Sequence, residues 1–294
     1  MITRVAYVNN KYVPLDKASI PVVDRGFLYG EGIFETMRAY NGTVFLCEKH
    51  IARLFKSLRM LCIKFDMRKT DAQRVIHRLL KMNRLKDAYV KMIVTGGKSG
   101  GRLSSSGKKN PAVIIYTLPC VPVPRELYTK GVRVSVSPVV SYERSFLRTN
   151  KTLSYLENIM SRKEAAKKGF YDNVSINTKG FVTEASSSNI FMVKNGKIYT
   201  PPLSAGILPG VTRGKVMLLS KIFLKRTVLE CFFKKKAIYE ADEAFLTNTL
   251  IEIVPVTKID AQTIGGGTPG AVTKGIINIF RLEVKRYCTD REVK

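Results

Sequence analysis

The segment RTNKTLSYLENIMSRKEA carries Lys151 just ahead of an apolar helical stretch, with Arg144 and Arg148 close by in the chain. A lysine that reacts as an amine must first lose its proton, and neighbouring cations together with partial desolvation favour that loss. In a chain with 50 Lys and Arg residues, an ordinary surface lysine is the competing reading of this position. Glu184 lies in FVTEASSSNIF, in a stretch whose pattern otherwise reads as buried. A buried carboxylate is costly unless it meets a cation. That cation can be one of the many basic side chains or the protonated nitrogen of a bound heterocycle.

Two further strings have the chemistry of anion binding. In GILPGVTRGKVMLL an apolar run stops at Pro209 and Gly210 and a helix begins near Thr212. Free amides at a helix start, with its positive dipole end, suit a phosphate, and Thr212 could add a hydroxyl. A plain strand-to-helix turn capped by Thr212 fits the same letters. FLTNTLIEIVPV sets Thr247, Asn248 and Thr249 between two apolar runs, where hydroxyl and amide groups must find partners in phosphate oxygens or in a tight turn. DRGFLYGEGIFETMR has a glycine bracket at Gly30 and Gly32 with the aromatics Phe27, Tyr29 and Phe34 as neighbours, without the spacing of a phosphate loop.

Positioning these residues takes both kinds of secondary structure. VAYVNNKYVPL predicts a hairpin about Asn9-Asn10, and NIFMVKNGKIYT a second one about Asn195-Gly196. Helical spacing runs through GTVFLCEKHIARLFKSLRMLCI, where Leu46, His50, Arg53, Leu54, Leu58 and Leu61 recur, and through TDAQRVIHRLLKMN, the latter with Thr70 and Asp71 as expected caps. AYVKMIVTGG and PAVIIYTLP read as strands around the polar loop KSGGRLSSSGKK, and VPVPRELYTKG reads as a linker. Strands and helices then alternate to the end. The expectation is a mixed α/β (α+β) protein of two lobes: residues 1–120, a linker at 121–130, and a strand-rich lobe at 131–294.

Composition narrows the function. The net charge of +27 draws anions of every kind, but the excess is spread along the chain, and no interleaving of basic with exposed aromatic residues or known module argues for nucleic acid. His50 and His77 are the only histidines and the five cysteines have no short pair spacing, so neither a metal site nor a disulfide framework is expected. No run of about 18 apolar residues predicts a membrane span. The start MITRVAYVNN lacks the layout of a signal peptide, and a cytoplasmic protein is expected.

The order and spacing of these strings together resemble the class IV, fold-type IV pyridoxal-phosphate enzymes: branched-chain aminotransferases, D-amino-acid aminotransferases and aminodeoxychorismate lyases. DRGFLYGEGIFETMR, HIARLFKSL, Lys151 before LSYLENIMSRKEA, GFVTEASSSNIF, YTPPLSAGILPGVTR and LTNTLIEIVPV all fall in family order. The resemblance implies a small N-terminal α/β sandwich, a larger barrel-like C-terminal domain, and a homodimer. It also implies that Lys151 is the lysine joined to the cofactor aldehyde and the proton shuttle of the reaction. Glu184 resembles the carboxylate on the ring nitrogen and Leu208 the residue against the ring face. Arg53, Val211, Thr212, Asn248 and Thr249 match the cofactor-binding positions, most of them around the phosphate.

On the substrate side, Tyr29, Phe34, Arg38, Tyr89, Lys91 and Arg102 are the residues that the resemblance selects. Tyr89 matches a branched-chain carboxylate contact, but Lys91 stands where that branch has arginine, and Leu156 replaces a tyrosine beside the cofactor hydroxyl. Arg102 is followed by Ser104 where D-amino-acid enzymes have histidine, while SGGRLSSSG and FETMR also resemble the lyase. The expected reaction moves an amino group from an aliphatic or branched-chain amino acid to a 2-oxo acid such as 2-oxoglutarate. Aminodeoxychorismate cleavage is the alternative, and D-amino-acid transfer a lesser one.

Overall fold

Asn9 and Asn10 take positive φ angles of 45° and 71° and turn strand β1 (Val5–Val8) back into β2 (Lys11–Pro14), as their tolerance of left-handed backbone predicts. This hairpin opens the first of two units in a computed structural model that describes residues 4–98, 103 and 110–292. Unit 1 comprises Met1–Val121, Asn150–Tyr155 and Val284–Lys294; unit 2 comprises Pro122–Thr149 and Leu156–Glu283.

In unit 1 a short helix, α1 (Arg25–Tyr29), leads into β3 (Gly32–Tyr40) and β4 (Thr43–Val44), then α2 (Cys47–Met60), α3 (Lys69–Met82), β5 (Ala88–Thr95) and β6 (Val113–Pro119). The strands form an antiparallel sheet in the order β2-β1-β6-β5-β3-β4. Because side chains alternate along a strand, one face presents Ile33, Met37, Val90, Met92, Val94 and Ile115, which pack with Ile51, Leu54, Ile76 and Leu79 of α2 and α3. The other face keeps Phe34, Thr36, Arg38, Tyr89 and Lys91. Helix α3 differs from expectation: Arg68 is its N-cap, so Thr70 and Asp71 fall inside the first turn. Asp71 there pairs with Arg68 and Arg74 at 2.7 and 2.9 Å, where a negative charge favours the helix start.

The Pro-punctuated stretch read as a linker contains a short helix, α4 (Arg125–Thr129), within unit 2. There follow β7 (Val132–Ser141), α5 (Phe146–Thr149), α6 (Leu156–Lys167), β8 (Asp172–Asn177), β9 (Val182–Ala185), β10 (Asn189–Lys194), β11 (Lys197–Thr200), α7 (Val211–Phe223) and β12 (Val228–Glu230). The remaining elements are α8 (Lys235–Tyr239), β13 (Glu243–Asn248), β14 (Glu252–Ile259), β15 (Gln262–Thr263) and α9 (Ala271–Glu292), the last divided between the units after Glu283. Strands β10, β13, β14, β7, β8 and β9 run in that order, and the pair Glu184↔Asn189 joins β9 back to β10. The sheet thereby closes on itself, giving the barrel-like architecture expected of the C-terminal part. β7 lies parallel to both β8 and β14, while β13 is antiparallel to β10 and β14. Phe191 and Phe245 are opposite each other on β10 and β13 and stack at 4.9 Å, both fully buried. Of KSGGRLSSSGKK only Lys98 and Leu103 lie within the described residues.

Candidate active site

Lys151 does not belong to the helix that follows it. Its segment runs antiparallel beside the start of β3: the Phe34 N–H donates to the Lys151 carbonyl and the Leu153 N–H to the Gly32 carbonyl, each at 2.9 Å, with Ile33 opposite Thr152. Gly30 makes this approach possible. It sits at φ +67°, and a Cβ there would lie 2.4 Å from the Ser154 hydroxyl. The Lys151 ammonium consequently lies 4.6 Å from the centre of the Phe34 ring and 5.4 Å from that of Tyr155. These two rings meet edge to face at 5.3 Å.

A second amine shares that ring. Lys91 Nζ stands 3.6 Å from the Phe34 centroid and donates a long hydrogen bond of 3.4 Å to Thr36 Oγ1, its neighbour across the β3/β5 register. Burial and, next, the charge of Lys151 pull its pKa from 10.5 down to about 8, against a smaller upward pull from Glu35. No carboxylate pairs with it among the described residues. Arg38 and Tyr89 are opposite each other on the same sheet face, Arg38 over the Tyr40 ring at 4.4 Å. Tyr89 lies 6.2 Å from Tyr116, whose hydroxyl burial and then Tyr89 push up to about 12. Tyr29 ends α1, its ring 5.2 Å from the Arg25 guanidinium. Arg102 lies outside the described residues.

Arg53 projects from α2 onto Glu35 of β3. Its Nε donates to Oε1 at 2.7 Å and its Nη2 to Oε2 at 2.8 Å, while His50 Nδ1 meets the same Oε2 at 2.9 Å. The carboxylate is 1% exposed.

Unit 2 gathers the remaining candidates around the β9–β10 junction and the start of α7. Glu184 is 8% exposed. It accepts from the Leu208 N–H at 3.1 and 3.2 Å and from Asn189 Nδ2 at 2.8 Å, and the same Asn189 nitrogen donates to the Leu208 carbonyl at 3.0 Å. Gly210 leaves room for this amide, since a Cβ there would fall 2.0 Å from Asn189 Oδ1. Gly210 is also the N-cap of α7 and supplies no side-chain cap, so Thr212 is not the capping residue of the bland reading; it is buried in the first turn, after Val211. The Asn248 side chain ties its own turn, donating to Ser187 O and Ser188 Oγ and accepting from the Leu250 and Ile251 N–H groups, with Thr249 between. The buried Thr247 Oγ1 has no hydrogen-bond partner among the described residues.

Unit 1 thus brings Lys151, Phe34 and Lys91 together, with Arg53 on its buried carboxylate, and unit 2 brings together Glu184, Leu208 and the start of α7. Sequence reasoning missed Glu35, His50, Asn189, Tyr116 and Tyr155 as partners. Glu35 carried a signal, being a charged residue at an inward position of an alternating strand. Each unit by itself offers groups suited to a phosphorylated pyridine aldehyde: unit 1 an amine against aromatic rings and a guanidinium, and unit 2 a buried carboxylate, helix-start amides without a side-chain cap and threonine hydroxyls.

Comparison with known proteins agrees with that chemistry. Residues 32–259 match the family model for amino-transferase class IV. A Methanocaldococcus jannaschii protein assigned as a branched-chain-amino-acid aminotransferase is 36% identical over 277 residues, covering 94% of each chain. The aminodeoxychorismate lyase of Bacillus subtilis is 33% identical over 290 residues, covering 97% of this chain and 96% of its own. The crystal structure of the Escherichia coli branched-chain amino acid aminotransferase superposes with a TM-score of 0.90 at 26% identity, over 94% of this chain and 93% of that one. The chain belongs to the class IV aminotransferases, pyridoxal-phosphate-dependent transaminases of fold type IV.

Proposed function

We propose that this aminotransferase takes an aliphatic, most simply branched-chain, amino acid as donor and a 2-oxo acid such as 2-oxoglutarate as acceptor, in amino-acid biosynthesis. The observation that carries the proposal is the placement of Lys151: a primary amine on a strand-paired segment, against Phe34 and Tyr155, with a second amine, Lys91, on the same ring. Apolar ring surfaces beside the reacting amine suit an aliphatic side chain, and Lys91 offers a positive charge to a carboxylate.

Pyridoxal 5'-phosphate, when bound, supplies an aldehyde carbon and a ring that spreads the electron pair left when a substrate loses its α-proton. Lys151 Nζ would be the amine that holds that aldehyde carbon, and as a neutral amine it would take a proton from the substrate α-carbon and give it back. Glu184, held by Leu208 and Asn189, would keep a proton on the ring nitrogen. By the family resemblance Arg53, the Val211 and Thr212 amides and the hydroxyls of Thr212 and Thr249 would hold the phosphate, with Asn248 shaping the turn beside Thr249 and Leu208 against the ring. Phe34, Tyr29, Arg38, Tyr89 and Lys91 would line the substrate side, where the resemblance also puts Arg102, a residue outside the described ones.

Two further features belong to the proposal. Val139, Val140, Tyr142, Leu147, Leu156, Ile159 and Met160 expose large apolar side chains at the end of β7, on α5 and along α6, which supports a homodimer that covers them. No disulfide joins two cysteines among the described residues, which supports a place in the reducing cytoplasm. The decisive assay mixes the protein with leucine and 2-oxoglutarate. Formation of glutamate supports the proposal; no glutamate, with release of pyruvate from aminodeoxychorismate, would replace it with the lyase.

A further inference from the structure

Glu35 is a buried carboxylate on the helix-packed side of β3, and two side chains one turn apart on α2, His50 and Arg53, converge on it. Burial would raise its proton affinity, but the charge of Arg53 and the hydrogen bonds from His50 and Arg53 outweigh that and hold it at about 2. It is therefore an anion at any working pH. Burial lowers the proton affinity of the His50 ring, so the neutral imidazole faces the carboxylate and its single proton sits on Nδ1, the only nitrogen from which it can donate to Oε2. Every oxygen–donor contact in this group has a defined direction.

The consequence falls on Arg53. A guanidinium is a planar fork, and here the edge made of Nε and Nη2 is committed to Glu35. The carboxylate fixes the plane of the guanidinium, so its remaining N–H groups have set directions and an anion would meet oriented donors and not a side chain free about four torsions. His50 fixes the carboxylate in turn, since a bond to Oε2 alone resists rotation of the Glu35 group. We infer that Glu35 and His50 are positioning residues that set the orientation of Arg53 and thereby the selectivity of this enzyme for a phosphorylated cofactor. This rests on the proposed phosphate role of Arg53.

The test compares binding of pyridoxal 5'-phosphate and of pyridoxal, which lacks the phosphate, to the full-length cofactor-free protein by equilibrium dialysis. Glu35→Gln places an amide N–H against an arginine N–H, and a hydrogen bond to a charged group is lost. The affinity for pyridoxal 5'-phosphate should fall by about tenfold or more, while that for pyridoxal changes by less than about twofold. His50→Leu should show the same selective loss. His50→Asn should restore it, because the asparagine amide sits where Nδ1 does. Should Glu35→Gln not fold, the two His50 variants carry the test. A parallel fall for both compounds would make the group merely structural and overturn the inference, as would unchanged selectivity in all variants. A wild-type protein that binds both compounds equally would overturn the phosphate role of Arg53 itself, and the inference with it.

Discussion

Lys91 offers the sharpest trade between stability and function. Its ammonium is buried beside another cation, and its pKa falls from 10.5 to about 8 on folding. At about 1.4 kcal/mol per pH unit, keeping it charged in the folded protein costs at most about 3 kcal/mol, and roughly half of that where water reaches the amine. The unfolded chain holds this proton more tightly than the folded one. Stability therefore rises as pH increases from about 8 to 10.5, and the full cost applies below about 8. Lys91→Met removes the charge and keeps the stem that packs on Phe34. The variant should gain about 1–3 kcal/mol in urea unfolding at pH 7, and the gain should shrink towards zero as pH approaches 10.5. The same variant should bind carboxylate substrates more weakly, raising KM for 2-oxoglutarate. A variant no more stable than wild type at pH 7, or one whose gain persists at high pH, would refute the reasoning.

Gly30→Ala forces a left-handed alanine and a Cβ contact of 2.4 Å with Ser154, close to Lys151 in the chain. It should cost about 2 kcal/mol or more and lower turnover, so an unchanged melting temperature would show that the loop yields easily. Asn189→Leu removes a donor from Glu184 and should cut kcat by roughly tenfold with little change in KM, since hydrogen bonds to charged groups are worth about 1.5–3 kcal/mol. Steady-state kinetics decide: an unaltered kcat would mean that the Leu208 amide alone holds the carboxylate.

Much of the arrangement is legible where a single residue type answers a local need. Asn9-Asn10 and Asn195-Gly196 mark hairpins because both turns require positive φ. Lys151, Glu184 and Gly210 draw attention as a lysine among cations, an acid in an apolar stretch and a glycine before a helix start, but in so basic a chain only the order of the matched strings separates Lys151 from a surface lysine. Long-range pairing is another matter. The closure of the barrel rests on the Glu184↔Asn189 pair, and nothing in FVTEASSSNIF states that the two strands meet. The capping of α3 is illegible for a different reason: Arg68 adopts the extended cap conformation although Thr70 and Asp71 are the better capping types, and the charge of Asp71 still serves the helix from inside its first turn. Tyr116 reads as an ordinary strand aromatic and Tyr155 as part of the helical stretch after Lys151, but the helix starts only at Leu156 and the two rings lie beside Tyr89 and Phe34.

The identity of the reacting amine is the claim on which the rest depends, because Lys151 and Lys91 share one aromatic ring. Treating the protein with pyridoxal 5'-phosphate, reducing it with borohydride and sequencing the labelled peptide by mass spectrometry measures it directly. The label should sit on Lys151 and vanish in Lys151→Ala. Label on Lys91 instead, or none on either lysine, would contradict the account.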